Sequence, residues 1–121
     1  MVPYERFKAW KLCHQLTLET YRITRSFPRD ELYGLVSQAR RAAFSAAVNI
    51  VEGSSKRGRR EFRRFLDISL GSLAELRYVF HLARDLGYAE PENWKHLMAL
   101  REHAAVVTWK LYDSLRDQPD E

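Results

Sequence analysis

The sequence predicts an all-α protein, an antiparallel up-down-up-down four-helix bundle, as a single domain over residues 1–121. Three observations predict it. Apolar residues recur every three or four positions through four long segments, the period of one helix face. Three short breaks of helix-stopping residues separate those segments. The chain has 121 residues, 45% of them hydrophobic and 30% charged, which is one globular domain's worth. Its five glycines and four prolines are too few turn residues for many strands.

The first segment, expected to be helical over approximately 5–26, puts Ala9, Cys13, Leu16, Thr20, Ile23 and Phe27 on one stripe, widened by Trp10 and Tyr21. Phe27-Pro28-Arg29-Asp30 ends it, because proline cannot continue a helix, and Asp30 is expected to cap the next. The second segment, approximately 31–52, carries Leu32, Leu35, Ala39, Ala42, Ala46 and Ile50. Its five alanines between positions 39 and 47 would admit a neighbouring helix closely. Gly53-Ser54-Ser55-Lys56-Arg57-Gly58 follows, with Gly53 placed as a helix-terminating residue.

The third segment, approximately 59–86, is the most regular: Phe62, Leu66, Ser69, Leu73, Leu76, Phe80 and Ala83. Gly87-Tyr88-Ala89-Glu90-Pro91 supplies a glycine stop and then a proline suited to a first helical turn. The fourth, approximately 91–116, runs Leu97, Leu100, Ala104, Val107, Leu111 and Leu115. Short connections between helices of this length favour antiparallel neighbours. Trp10, Tyr78, Val79, Leu82, Trp94 and Trp109 lie beside the stripes. They either widen the core edge or are buried against other subunits, which makes a homo-oligomer the expectation.

Several function classes are excluded by what the sequence lacks. No apolar run approaches the ~20 residues of a membrane span. Met1-Val2-Pro3-Tyr4-Glu5-Arg6 lacks signal-peptide architecture, and the lone Cys13 allows neither an intramolecular disulfide nor a multi-cysteine metal cluster. Both fit a cytoplasmic protein. No glutamate has a histidine three residues on, so the di-iron bundle signature is missing. Of the four histidines, His14, His81, His96 and His103, His96 and His103 share a face at seven-residue spacing, but no acidic or cysteine partner forms a metal signature with them. The 53–58 glycines have P-loop spacing, but Arg59-Arg60 follow where Lys and Ser/Thr are required. Cys13 and His14 are adjacent on a helix and point about 100° apart. The expectation is no catalytic residue, no cofactor, no metal and no enzyme.

Charge placement is the strongest physical signal. The net charge is +4, yet residues 37–64 alone carry eight basic against two acidic residues, while residues 65–121 sum to −4. Arg59/Arg63 and Arg60/Arg64 are like-charge pairs one turn apart, and Arg59 and Arg60 open a helix, where the macrodipole disfavours cations. Each effect costs a few tenths of a kcal/mol. Bundle stability does not ask for this arrangement; an anionic partner would. Lys56, Arg57, Arg59, Arg60, Arg63 and Arg64 are therefore the candidate RNA or DNA contacts. The bundle topology brings Arg6, Lys8 and Lys11 to the same end. The opposite end is expected to be acidic through Asp30, Glu31, Asp85, Glu90 and Glu92, and the tail Asp117, Asp120 and Glu121 to return to the basic end. The alternative is a protein-interaction scaffold whose arginines are solvated or lie between subunits.

Phe27-Pro28, Glu31-Leu32-Tyr33-Gly34-Leu35, Gln38-x-Arg40-Arg41-Ala42, Asn49-Ile50-Val51-Glu52-Gly53 and Gly71-Ser72-Leu73-x-Glu75-Leu76 resemble the bacterial four-helix-bundle family. It is also known as the 23S rRNA intervening-sequence or S23-like family. The resemblance runs from about Phe7 to about Leu115. Family members often carry proline before the Asn-Ile element; here Ser45-Ala46-Ala47-Val48 predicts a straighter helix. The resemblance implies a small cytosolic homo-oligomer, typically a ring of five bundles, with no enzymatic activity. A related bundle is the accessory partner of a retroelement reverse transcriptase, where a basic surface engages nucleic acid. The matching polar residues read as structural: Arg40 or Arg41 pairing with Glu75, and Asn49 and Glu52 organising the end of the second helix.

Overall fold

The computed structural model describes residues 3–116. Four helices make up the fold: α1 (Lys8–Thr24), α2 (Leu35–Ser54), α3 (Arg59–Asp85) and α4 (Pro91–Ser114), with one-turn 3-10 helices at Tyr4–Arg6 and Arg29–Glu31. Contacts run α1 to α2, α2 to α3, α3 to α4 and α4 back to α1, and among the described residues no diagonal pair meets. Direction follows from which residues touch. Thr17 Oγ1 donates to the Ala43 carbonyl at 3.1 Å, while Arg40 Nε reaches Thr24 Oγ1 at 3.1 Å. Ser69 Oγ donates to the Ala46 carbonyl at 2.8 Å, and Ser72 to Ser45 Oγ at 2.7 Å. Trp94 Nε1 donates to the Phe80 carbonyl at 3.1 Å, and Arg63 Nε to the Tyr112 carbonyl at 3.2 Å. Cys13 meets Thr108 and Glu19 meets His96. In every pair one number rises as the other falls, so each helix is antiparallel to both neighbours.

The core follows the helical stripes, with adjustments. Every stripe residue of α1 is buried, as are those of α3 apart from half-buried Phe62. Burying a Leu or Phe side chain contributes about 1.5–3 kcal/mol, and Leu16, Ile50, Leu66, Leu73, Leu76, Phe80 and Leu97 are fully enclosed. In α2 the stripe residues Ala39, Ala42, Ala46 and Ile50 are buried and Val36 and Ala43 join them, while Leu35 is half-buried and Leu32 is exposed before the helix starts. Val79, expected beside the core, is inside it; Trp10, Leu82 and Trp94 are half-buried, while Tyr78 and Trp109 are exposed. In α4, Val107, Leu111 and Leu115 are only half-buried, and Arg101 and Thr108 take the interior instead. Arg101 is 6% exposed; its Nη1 donates to the Leu73 carbonyl at 3.3 Å and its Nη2 pairs with Glu102 at 2.6 Å. Burial pulls its guanidinium below the usual range.

Helix ends differ from expectation in two places. The first turn of α2 is capped by Glu31, whose Oε1 accepts the Leu35 N–H at 3.2 Å, rather than by Asp30, which lies in the preceding 3-10 turn. Gly53 does not terminate α2. It is buried inside the helix, and a Cβ there would stand 2.8 Å from Phe65 Cβ and 2.9 Å from Phe62 Cδ1. Its function is close approach of α3, not chain reversal. Gly87 does stop α3: at φ +76 it lets the Tyr88 N–H reach the Ala83 carbonyl and its own N–H reach that of Arg84, both at 2.9 Å.

Two glycines inside helices should thus respond oppositely to alanine. Gly71 faces open space, so Gly71→Ala is expected to stabilise by about 0.5–1 kcal/mol through helix propensity. Gly53→Ala gains the same propensity but must push α3 away, and should be a net loss of about 1–2 kcal/mol in urea unfolding. Cys13 supplies a pH signature. Burial raises its thiol from 9.0 to about 11, so the unfolded chain ionises first as pH climbs. Stability is expected to fall between about pH 9 and 11, by about 2–3 kcal/mol from this group. Unfolding midpoints of wild type should drop more steeply over that window than those of Cys13→Ala; parallel profiles would refute it.

Candidate nucleic-acid interface

The basic candidates meet at one end because antiparallel packing returns the α2–α3 connection to the start of α1. Phe7 packs edge-on against Phe62 at 5.5 Å, which sets the turn carrying Arg6 beside the opening of α3. Lys8 and Lys11 lie exposed in the first turns of α1. The connection itself is short. Ser55 closes α2, with its N–H on the Glu52 carbonyl, and Gly58 at φ +85 redirects the chain into Arg59. Lys56, Arg57, Arg59 and Arg60 are exposed along this bend.

Aromatic rings hold part of the cluster in place. The Arg63 guanidinium lies 4.2 Å from the Tyr112 ring centre while its Nε donates to the Tyr112 carbonyl. Arg63 thereby ties α3 to α4. The Phe65 ring carries Arg64 at 4.6 Å and Lys56 at 5.3 Å. Cation–π contacts of this kind contribute about 0.5–1 kcal/mol at exposed sites. Arg64 also donates to Glu61 at 3.0 Å, which holds that carboxyl below its usual range. Arg63, Arg64 and Lys56 are thus held against rings, while Lys56, Arg57, Arg59 and Arg60 form the exposed outer arc of the cluster. Charge counting located the cluster but could not show this division, since Tyr112 is 49 residues from Arg63.

The structural polar group is arranged differently from expectation. Arg40 is held on α1, through Thr24 Oγ1 and the Tyr21 ring at 4.6 Å, and neither it nor Arg41 pairs with exposed Glu75 among the described residues. Asn49 Nδ2 donates back to the Ser45 carbonyl at 2.8 Å, bracing mid-helix where Ser45 also meets Ser72, rather than shaping the helix end. Glu52 contributes its backbone carbonyl to the Ser55 turn. The opposite end is mixed rather than acidic: Arg25, Arg29 and Arg84 stand among Asp30, Glu31, Asp85, Glu90 and Glu92. Segment totals hid these arginines because neighbouring acids cancel them. The tail residues Asp117, Asp120 and Glu121 lie outside the described residues.

Among the described residues no three His, Cys, Asp or Glu side chains group as metal ligands, and no helix is long and apolar enough to cross a membrane. Anchored and outer arginines should separate in stability measurements. Arg63→Gln is expected to cost about 1–2 kcal/mol through loss of its ring and carbonyl contacts, whereas Arg57→Gln should stay within about 0.5 kcal/mol.

No curated protein matches the chain. Among solved structures it is similar to a protein of unknown function from the S23 ribosomal protein family of Bacteroides thetaiotaomicron VPI-5482. The TM-score is 0.77 at 16% identity, over 86% of this chain and 97% of that one. That likeness supports the helical architecture. The sequence profile of the 23S rRNA-intervening sequence proteins matches residues 5–108, and the chain belongs to that family.

Proposed function

We propose that this protein is a non-enzymatic, self-associating helical bundle that binds the phosphate backbone of RNA or DNA through its basic end. The observation that carries the reading is the outer arc of Arg57, Arg59 and Arg60 with Lys56. Arg59 and Arg60 open a helix N-terminus that disfavours positive charge, Lys56 and Arg57 lie in the connection just before it, and all four are exposed to solvent. Backbone contacts by arginine and lysine fix position without reading sequence, so binding is weakly sequence-specific. Exposed Tyr78 (66%) and Trp109 (52%) on the outer faces of α3 and α4 favour contacts with further copies, in keeping with the five-membered ring that the family resemblance implies. The alternative reading, a scaffold or an accessory subunit such as one serving a reverse transcriptase, draws on the same exposed rings.

A titration of labelled RNA and DNA at two salt concentrations separates the two readings. The basic-end reading expects affinity to fall steeply with salt and the Lys56/Arg57/Arg59/Arg60→Glu variant to lose at least about ten-fold. Binding that is absent, or indifferent to charge reversal, sinks this reading and leaves the scaffold.

A further inference from the structure

A second arginine group lies away from the basic end, on the outer face between α1 and α2. Two adjoining cavities of about 340 and 440 Å³ share Leu32, Val36 and Arg40 as lining and together form one groove. Each falls within the size range of small-ligand pockets, about 300–1,000 Å³. The first lobe is lined by Arg25, Arg29 and Arg40, the second by Arg40 and Arg41, and no carboxylate lines either. The second lobe is also bordered by Tyr33 and Phe44, which are 93% and 57% exposed.

These two rings stand apart from the other aromatic groups near arginine. Tyr21, Phe65, Tyr112 and Trp94 each carry a cation over one face. Tyr33 and Phe44 carry none among the described residues, and no ring packs on either. Arg40 is held between Thr24 and the Tyr21 ring, so the groove has a fixed positive floor. Open aromatic faces beside arginines, in a groove whose own lining includes no carboxylate, combine the two elements that bind single strands, base stacking and backbone neutralisation. An acidic peptide would satisfy the arginines but make no use of the flat rings.

We propose that the α1–α2 groove binds single-stranded nucleic acid, with bases stacked on Tyr33 and Phe44 and phosphates taken by Arg25, Arg29 and Arg41. A duplex keeps its bases stacked internally and offers nothing to these rings. The groove lies at the other end of α1 and α2 from the 55–58 connection, so this reading and the basic-end reading stand or fall separately.

The probe is a labelled deoxythymidine oligomer of about ten residues, compared with a duplex, on the full chain. Tyr33→Ala/Phe44→Ala is expected to weaken oligomer binding about ten-fold or more while leaving duplex binding unchanged, and Tyr33→Trp/Phe44→Trp to restore it. Both positions are exposed, and unchanged helical circular dichroism confirms that the variants fold. Charge reversal at Lys56/Arg57/Arg59/Arg60 should lower duplex binding and leave the ring-dependent part of oligomer binding in place. If that reversal changes nothing but the ring variants still weaken the oligomer, the basic-end reading alone fails. The groove proposal is overturned by a wild type that does not bind the oligomer, by ring variants that bind it as wild type does, or by polyglutamate displacing it equally from both. It is equally overturned if the ring variants halve or otherwise lower the light-scattering mass, which would make this face a contact between copies.

Discussion

Where α2 meets α3, Ser45 and Ala46 face Ser72 and Ser69, and Gly53 leaves no room for even a methyl group against Phe65 and Phe62. This is the most extensive helix contact in the bundle. Its closeness permits the hydroxyls of Ser69 and Ser72 to cross the seam at 2.8 and 2.7 Å. Those bonds fix the register, since a shift of one residue would rotate the donors away by about 100°. At the end of this seam the 55–58 connection is short, and Lys56, Arg57, Arg59 and Arg60 along it are exposed.

The interior of the bundle is not uniformly apolar, and its polar groups serve order rather than adhesion. Thr20 and Thr24 return their hydroxyls to carbonyls one turn earlier, at 2.7 Å each, so they occupy core positions with their polar atoms satisfied. Arg101 is a harder case. Its Nη atoms are partnered but its Nε has no hydrogen bond among the described residues, and a buried guanidinium left so is costly. Its Nη1 bond to the Leu73 carbonyl ties α4 to α3, and a shift of register would lose that bond.

Much of this was legible from residue spacing. The period-3.6 stripes of α1 and α3 named most of their core residues but not Leu12, Thr24, Phe65 or Val79, which lie one position off the stripe, and Gly87 with Pro91 marked a true chain reversal. α2 and α4 were less transparent for different reasons. In α2 adjacent alanines such as Ala42 and Ala43 are both buried, so alanine-rich spacing could not mark how wide the buried face is. In α4, Arg101 occupies a core position that no hydropathy pattern would assign to it. The reading of Gly53 failed because a glycine near a helix end signals both a stop and a close approach, and only the neighbour's Phe65 distinguishes them. The basic arc could be located by counting charge along the chain. The α1–α2 arginine group could not, because it draws on residues from two helices and a connection in which Asp30 and Glu31 offset the total.

Helix α2 links these two basic regions as a single rod. Arg41 sits near its start and Lys56 just beyond its end, fifteen residues apart, which at 1.5 Å per residue places them roughly 22 Å apart along the axis. Serine bonds at mid-length and the Gly53 contact near the far end pin that rod to α3. The interval is therefore a fixed dimension of the protein. A polyanion that touches both regions at once is selected by its reach as well as by its charge, and one too short to bridge them meets only half of the cationic surface.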